Sequence, residues 1–478
     1  MARWNRRDFL SFSAMLAGAG MLRPLWAAMK YDRDGVLDLF RLNAAETDAR
    51  VKAGIEANRK GTLTILFKDE NGKPCETTHV KIRQKKHDFK YGANLFMLDE
   101  IVDSAEKNEM YKERFAAAFN LATLPFYWRD LEPEEGKPRY AKDSPRIYRR
   151  PAPDLCVEWC EANGIEPKAH CLNYVSKFAH PEWATKDGVV REKMLLEKRF
   201  RELAERYAHR IPMWEVTNET LVWNRDRIGV SEFFTQEDLV EWSFKTAEKY
   251  FPANKLVINE AQGHVWQEPY GSRNAFYMQV ENALLKGCRI DGIGFQAHSF
   301  WGSDMKNVLT KAKLQYDPQN LFAMLDTFAK LGKPLQITEM TIPAYSEDPG
   351  DEAVQAEILR EMYRIWFSHP LMEAIIYWNL PDGYAHGATP GDCSKGENIY
   401  YGGLCRFDMS PKPAYEVIRE LFGREWRTDL ERDVSGGRMA FRGFHGTYEI
   451  EATSNGKTVT SEFHLAPVNF KNVEVTIS

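Results

Sequence analysis

The chain has 478 residues, 44% of them hydrophobic and 13% aromatic, which is enough apolar material for one large core and a smaller appended one. Its formal charge of -5 comes from acids and bases mixed along the chain. No basic stripe of the kind that displaces counterions from nucleic acid is present, so nucleic acid is not an expected partner.

In chain order, Arg6 and Arg7 precede a short apolar run that ends near Ala27 and Ala28. Residues 1–28 read as an export signal of twin-arginine type, because the run is shorter than the roughly 20 residues a membrane helix needs. No later run is apolar enough to span a membrane, so the expected location is periplasmic or extracellular, with no membrane attachment after signal removal. A helical segment is predicted from Arg33 to Lys60. Alternating apolar and polar residues around Asp69-Glu70-Asn71-Gly72 follow, so residues 29–88 read as a helix and antiparallel strands.

From residue 89 the texture changes. Eight short apolar runs begin at Phe89, Leu121, Glu166, Met213, Lys255, Gly292, Leu335 and Ala374, separated by stretches with apolar residues at three- and four-residue steps. That alternation predicts an α/β fold, a (β/α)8 TIM barrel over residues 89–430. Residues 431–478 alternate again around Ser454-Asn455-Gly456. Each flank is too small to hold a core alone, so the two are predicted to pair into one small β-sandwich-like appendage.

Each run ends on a polar or functional side chain: Asn94, Tyr127, His170, Glu219, Glu260, His298, Glu339 and Asn379. In such barrels the C-terminal strand ends line the mouth where chemistry is done. Glu219 and Glu339 end the fourth and seventh runs, which face each other across an eight-membered ring. Two opposed carboxylates suit glycosidic bond cleavage, with retention if they are about 5 to 5.5 Å apart and inversion at about 6.5 to 9.5 Å. Asn218 is placed to hydrogen-bond a sugar hydroxyl, His298 to hold Glu339 ionised, and Trp378 and Trp128 to stack on sugar faces. Taken singly, each of these residues also fits an ordinary ion pair or core packing.

The seven cysteines form no zinc-ligand pattern. Cys156 and Cys160, one helical turn apart, read as small buried residues. Cys393 and Cys405 flank a Gly-rich loop and are candidates to pair in an oxidising compartment.

The motifs carrying these residues resemble those of family 10 glycoside hydrolases, the β-1,4-xylanases. "WEVTNE", Trp214 to Glu219, resembles the family's acid/base strand end, and "ITEM", Ile337 to Met340, its nucleophile motif. "GIGFQAH" from Gly292, "LEPEEGKPRY" from Leu131 and "DMSPKPAY" from Asp408 match further family segments in order. The resemblance implies Glu219 as general acid/base and Glu339 as nucleophile, supported by Asn218, His170, Gln296, His298 and Trp378. It also implies a polysaccharide or oligosaccharide substrate and neither metal nor organic cofactor.

Three places depart from the pattern, all on the side that holds the non-reducing sugars. Leu124 to Trp128 replace a segment whose Asn and Lys bind sugar in the family. Tyr174 and Val175 stand where the family has Trp and His, leaving Tyr174 as the aromatic contact. His386 stands in the region of a second Trp. Bond cleavage is thus better specified than the sugar, because a site that loses hydrogen-bonding groups changes its preferred partner. A carbohydrate-binding barrel without turnover is the competing expectation. An oxidoreductase, suggested by the export signal alone, lacks any Gly-rich dinucleotide turn or Cys cluster.

Overall fold

The computed structural model describes residues 33–222, 229–301, 311, 314–469 and 471–478. The predicted export signal lies outside the described residues.

Fifteen strands are described. β1 (Lys60–Asp69) and β2 (Thr77–His87) come first. The barrel strands follow: β3 (Lys90–Asn94), β4 (Leu121–Pro125), β5 (Glu166–His170), β6 (Met213–Asn218), β7 (Lys255–Glu260), β8 (Gly292–His298), β9 (Leu335–Thr341) and β10 (Met372–Tyr377). The chain ends with β11 (Asp429–Ser435), β12 (Arg438–Phe444), β13 (Gly446–Ser454), β14 (Lys457–Leu465) and β15 (Val473–Ile477).

β3 to β10 pair in parallel, each with its neighbours in sequence, and β10 closes on β3. This is the (β/α)8 barrel expected from the eight runs. Its strands are buried almost throughout, as parallel strands covered by helices must be. The covering helices start and stop where the sequence supplies chemistry for it. Asp317 and Asp348 cap helices Pro318–Ala329 and Pro349–Ser368 through side-chain oxygens, each with Pro in the first turn. Gly164, at φ +65°, ends helix Pro153–Asn163 in the left-handed conformation that a residue without Cβ adopts at least cost.

The flanks form two sheets, β12-β1-β15 and β11-β2-β13-β14. Their inner faces share a core that includes Ile65, Phe67, Ile82, Tyr448, Ile450 and Ile477. In each sheet an N-terminal strand lies between two C-terminal strands, so neither flank could form its sheet alone. The helix Ala44–Asn58 precedes β1 in the chain and packs on the barrel helix Pro349–Ser368. Gly54 lies so close to that helix that a Cβ would meet Ser368 O at 2.6 Å.

The sandwich joins the barrel at the N-terminal ends of its strands, because β2 runs through His87 straight into the start of β3. Phe89, Phe367, Phe422, Trp426 and Phe444 pack around that junction. Arg59 donates there to the carbonyls of Phe367, His369 and Met372, the last at 2.7 Å. The C-terminal strand ends are left open on the opposite side.

Cys393 and Cys405 do not pair; both are free thiols. Cys405 is locked by bridges to Pro381 and Pro411, and burial pushes its thiol up to about 12. Cys156 and Cys160 are fully buried, as expected.

Candidate active site

The mouth is built from the ends of β6 to β9. Asn218 ends β6, and Glu219 leaves it at φ +54°, its N–H donating to Asn259 O at 3.1 Å. A non-Gly residue in this region is strained, and the strain goes with a register shift between Glu215 and Thr217 on the same strand. The consequence is visible on the neighbouring strand, which ends in the same dipeptide, Asn259-Glu260. Asn218 and Asn259 are in register, but Glu260 stays within β7 and turns away from the cleft. Its carboxylate accepts from the N–H groups of Ala261 at 2.8 Å and Leu221 at 3.0 Å. Burial pushes its pKa up to about 8, against the opposing effect of those N–H bonds. Only Glu219 of the two presents its carboxylate to the cleft.

Glu339 lies within β9, 4% exposed. Its Oε1 accepts from Asn259 Nδ2 at 2.9 Å and Gln296 Nε2 at 3.2 Å, and its Oε2 lies 3.2 Å from His298 Nε2. Gln296 Nε2 also donates to Glu219 Oε1 at 2.9 Å. One amide nitrogen therefore bridges the two acids. Bonds of 2.9 and 3.2 Å to a common atom limit the Oε1–Oε1 separation to their sum, 6.1 Å. That limit applies to one pair of oxygens and accommodates the retaining spacing of about 5 to 5.5 Å.

The other expected residues fall into place around this pair. Asn218 Oδ1 accepts from Asn259 Nδ2 at 2.8 Å, so Asn218 is fixed by the same amide that holds Glu339. His298 also contacts Thr341 Oγ1 at 3.0 Å through Nδ1 and stacks on Phe300 at 4.3 Å between centroids. With its proton on Nε2 it donates to Glu339. Tyr174 donates its phenol to Glu219 Oε2 at 2.9 Å, so it touches the acid as well as the cleft. Trp378 lines the cleft, edge-on to Phe96 at 5.1 Å and His170 at 5.5 Å.

His170 lines the cleft but spends its Nδ1 on Glu215, whose other oxygen takes the Lys168 ammonium. All three are buried. Burial alone would raise the Glu215 pKa, but Lys168 and His170 outweigh it and hold the carboxyl down at about 2. In the same way burial works against a charged His170, yet Glu215 and Glu339 raise its pKa. His170, Glu215 and Glu339 offer ligand atoms within 4.8 Å of one another. A divalent ion there would have to displace a buried ammonium from Glu215, so these donors are better suited to the ion-paired arrangement than to a metal.

Trp128 is elsewhere. It begins the short helix Trp128–Leu131, donates Nε1–H to Glu132 at 2.9 Å and packs edge-on against Trp183 and His180. The residue before it, Tyr127, lines the cleft in its place.

The cleft over the two acids has a volume of about 320 Å³ and adjoins a second cavity of about 490 Å³. Arg149, Arg150, Phe178 and His386 line both. Sequence reasoning missed the two arginines and Asn259. Asn259 had a usable signal in the repeated Asn-Glu strand end, whereas an Arg pair in a loop reads as solvated until the loop is folded.

With the geometry in place, the sequence pattern described as glycosyl hydrolase family 10 matches residues 90–421. The chain belongs to glycosyl hydrolase family 10. It is 24% identical over 429 residues to endo-1,4-beta-xylanase 2 of Arabidopsis thaliana, covering 89% of this chain but only 35% of that protein. It is 27% identical over 330 residues to endo-1,4-beta-xylanase B of Thermotoga neapolitana, covering 66% of this chain and 83% of the relative. Among solved structures, xylanase 10B of Thermotoga petrophila in complex with xylobiose superposes with a TM-score of 0.54 at 21% identity. That match covers 71% of this chain and 95% of the other. In this family 10 chain, the "LEPEEGKPRY" segment is scaffold. Glu132 accepts from Trp128 and from Gly136 N, and Arg139 donates to Asp130 O at 2.8 Å, tying down the loop that carries the arginine pair.

Proposed function

We propose that this family 10 chain is an exported, retaining glycoside hydrolase of endo-β-1,4-xylanase type that cleaves a β-linked polysaccharide or oligosaccharide by double displacement. The observation that carries the reading is the Gln296 amide bridging Glu219 and Glu339. In this mechanism Glu219 protonates the departing glycosidic oxygen while Glu339 attacks the anomeric carbon, forming a glycosyl ester and releasing the aglycone. Glu219, now ionised, takes a proton from water, which attacks the same carbon, breaks the ester and returns both carboxyls to their starting states. Asn259 and His298 keep Glu339 oriented, and Gln296 keeps the two acids in register.

Export is supported by Arg6-Arg7 and the short apolar run behind them. A different glycone preference is supported by Tyr127, Tyr174 and His386, at positions where the resemblance calls for other groups, and by the arginine pair that lines the cleft beside them. A barrel that only binds glycan has no use for two acids held at a common amide, so the bridge favours turnover.

The test is an aryl β-glycoside cleaved by the wild type. Glu339→Gln is expected to abolish aryl release. Glu219→Ala is expected to give a burst followed by steady-state turnover reduced by about 10²- to 10⁴-fold, because the second step loses its base. Unchanged turnover in either variant would remove the assignment.

A further inference from the structure

Next to the two acids, the cleft runs into a second cavity whose wall is basic. Arg149 sits in the loop after β4 at φ +62° and is 4% exposed. Its Nη1 donates to Asn379 Oδ1 at 2.9 Å and to Tyr384 O. Asn379 Oδ1 also accepts from Asn94 Nδ2 at 3.2 Å, so the arginine is anchored to the ends of the first and last barrel strands. Its Nε is buried without a hydrogen-bond partner. Arg150 is held by Asp130 at 2.6 Å and by Arg149 O at 2.9 Å, and it lies over the Tyr127 ring at 3.9 Å.

Among the described residues neither guanidinium has a protein acceptor at Nη2, and neither Nη2 is among the buried unpartnered atoms. Both Nη2 groups are thus open to solvent, on residues that line the shared cavity. Among the described residues no carboxylate lies within 4.0 Å of the Arg149 guanidinium as an ion-pair partner; the nearby Glu100 carboxyl instead accepts from the Arg149 backbone N–H. Glu397, which also lines the cleft, is the acid that acts on Arg149 from further off; burial raises its pKa, and Arg149 works against that rise. His386, on the opposite wall, is held neutral by burial and by the two arginines, which bring its pKa down to about 4. A fixed, desolvated cation with donors aimed at the cavity costs stability unless an anion completes it.

We infer that the sugar bound beside Glu339 on this side carries a negative group, a carboxylate or a sulfate ester, and that Arg149 and Arg150 bind it. A neutral pentose or hexose would leave both Nη2 groups on hydroxyls that water satisfies as well. A planar carboxylate or a sulfate takes two guanidinium N–H donors at once. This rests on the hydrolase reading for the place of the sugar, but its test reads binding alone.

The inactive full-length Glu339→Gln protein is titrated calorimetrically with xylotriose and glucuronosyl-xylotriose, and with cellotriose, its C6-carboxylated form and its sulfated form. In at least one set the acidic member is expected to bind roughly tenfold tighter than the neutral one, with the preference shrinking between about 0.05 and 0.5 M salt. The carboxylated and sulfated arms tell which anion is preferred. Arg150→Gln, and Arg149→Gln if it folds, are expected to bring acidic and neutral ligands within about twofold of each other while leaving neutral binding in place. Equal binding of acidic and neutral ligands in both sets overturns the inference, as does a preference that survives Arg150→Gln. A protein that selects acidic ligands but cleaves none of the five when wild type would instead overturn the hydrolase reading.

Discussion

At the scale of single residues, one dipeptide has two outcomes. Asn218-Glu219 and Asn259-Glu260 end adjacent strands in register, yet Glu219 enters the cleft and Glu260 is buried behind it. The difference is one left-handed backbone step at Glu219, which no residue preference for Glu announces. Below the reacting pair, the buried Lys168–Glu215–His170 group sets the electrostatics of the floor. Glu215 has its folded pKa depressed to about 2, so its contribution to stability is present above its unfolded value and is lost as pH falls from about 4.5 towards 2. Thermal melts across that window are expected to show a loss of midpoint that Glu215→Gln does not show. Glu215→Gln is also expected to cost about 3–5 kcal/mol at pH 7, because it leaves the Lys168 ammonium buried without a counter-charge. A variant as stable as wild type at neutral pH would mean that Lys168 finds another partner.

At the scale of elements, what holds the appendage to the barrel is polar as well as aromatic. Arg59 precedes β1 and closes three carbonyls around the turn that leads into β10. Arg59→Met is expected to destabilise the protein by about 2–4 kcal/mol, read by urea unfolding, since those buried carbonyls lose their donors. Its KM on an aryl glycoside is expected to stay at the wild-type value, because the junction lies at the strand ends away from the mouth. A raised KM with unchanged stability would place the junction in communication with the cleft. Elements were also the scale at which the sequence was most legible. The eight apolar runs and the helical stretches between them are local signals with local causes, and the barrel followed from them. Trp128 was misplaced because a strand-end rule fixes a residue's position along the chain and not the direction of its side chain. Its neighbour Tyr127 had the direction that matters.

At the scale of the whole molecule, the fold separates stability from chemistry. The sandwich and its aromatic junction sit at one end of the barrel, while Glu219, Glu339 and the arginine-lined cavity occupy the other. The two acids were legible because their types and order are specified by the reaction. The arginine-lined wall was not, because Arg149, Asn379, Asn94 and Asp130 come from separate loops and strand ends that only the closed barrel brings together. The central claim is double displacement across a pair of carboxylates whose Oε1 atoms share the Gln296 amide and so lie within 6.1 Å of each other. Its most direct test is proton NMR of the anomeric signals during the first minutes of hydrolysis of a β-linked oligosaccharide. The account predicts that the β-anomer appears first and the α-anomer only later by mutarotation; initial release of the α-anomer would contradict it.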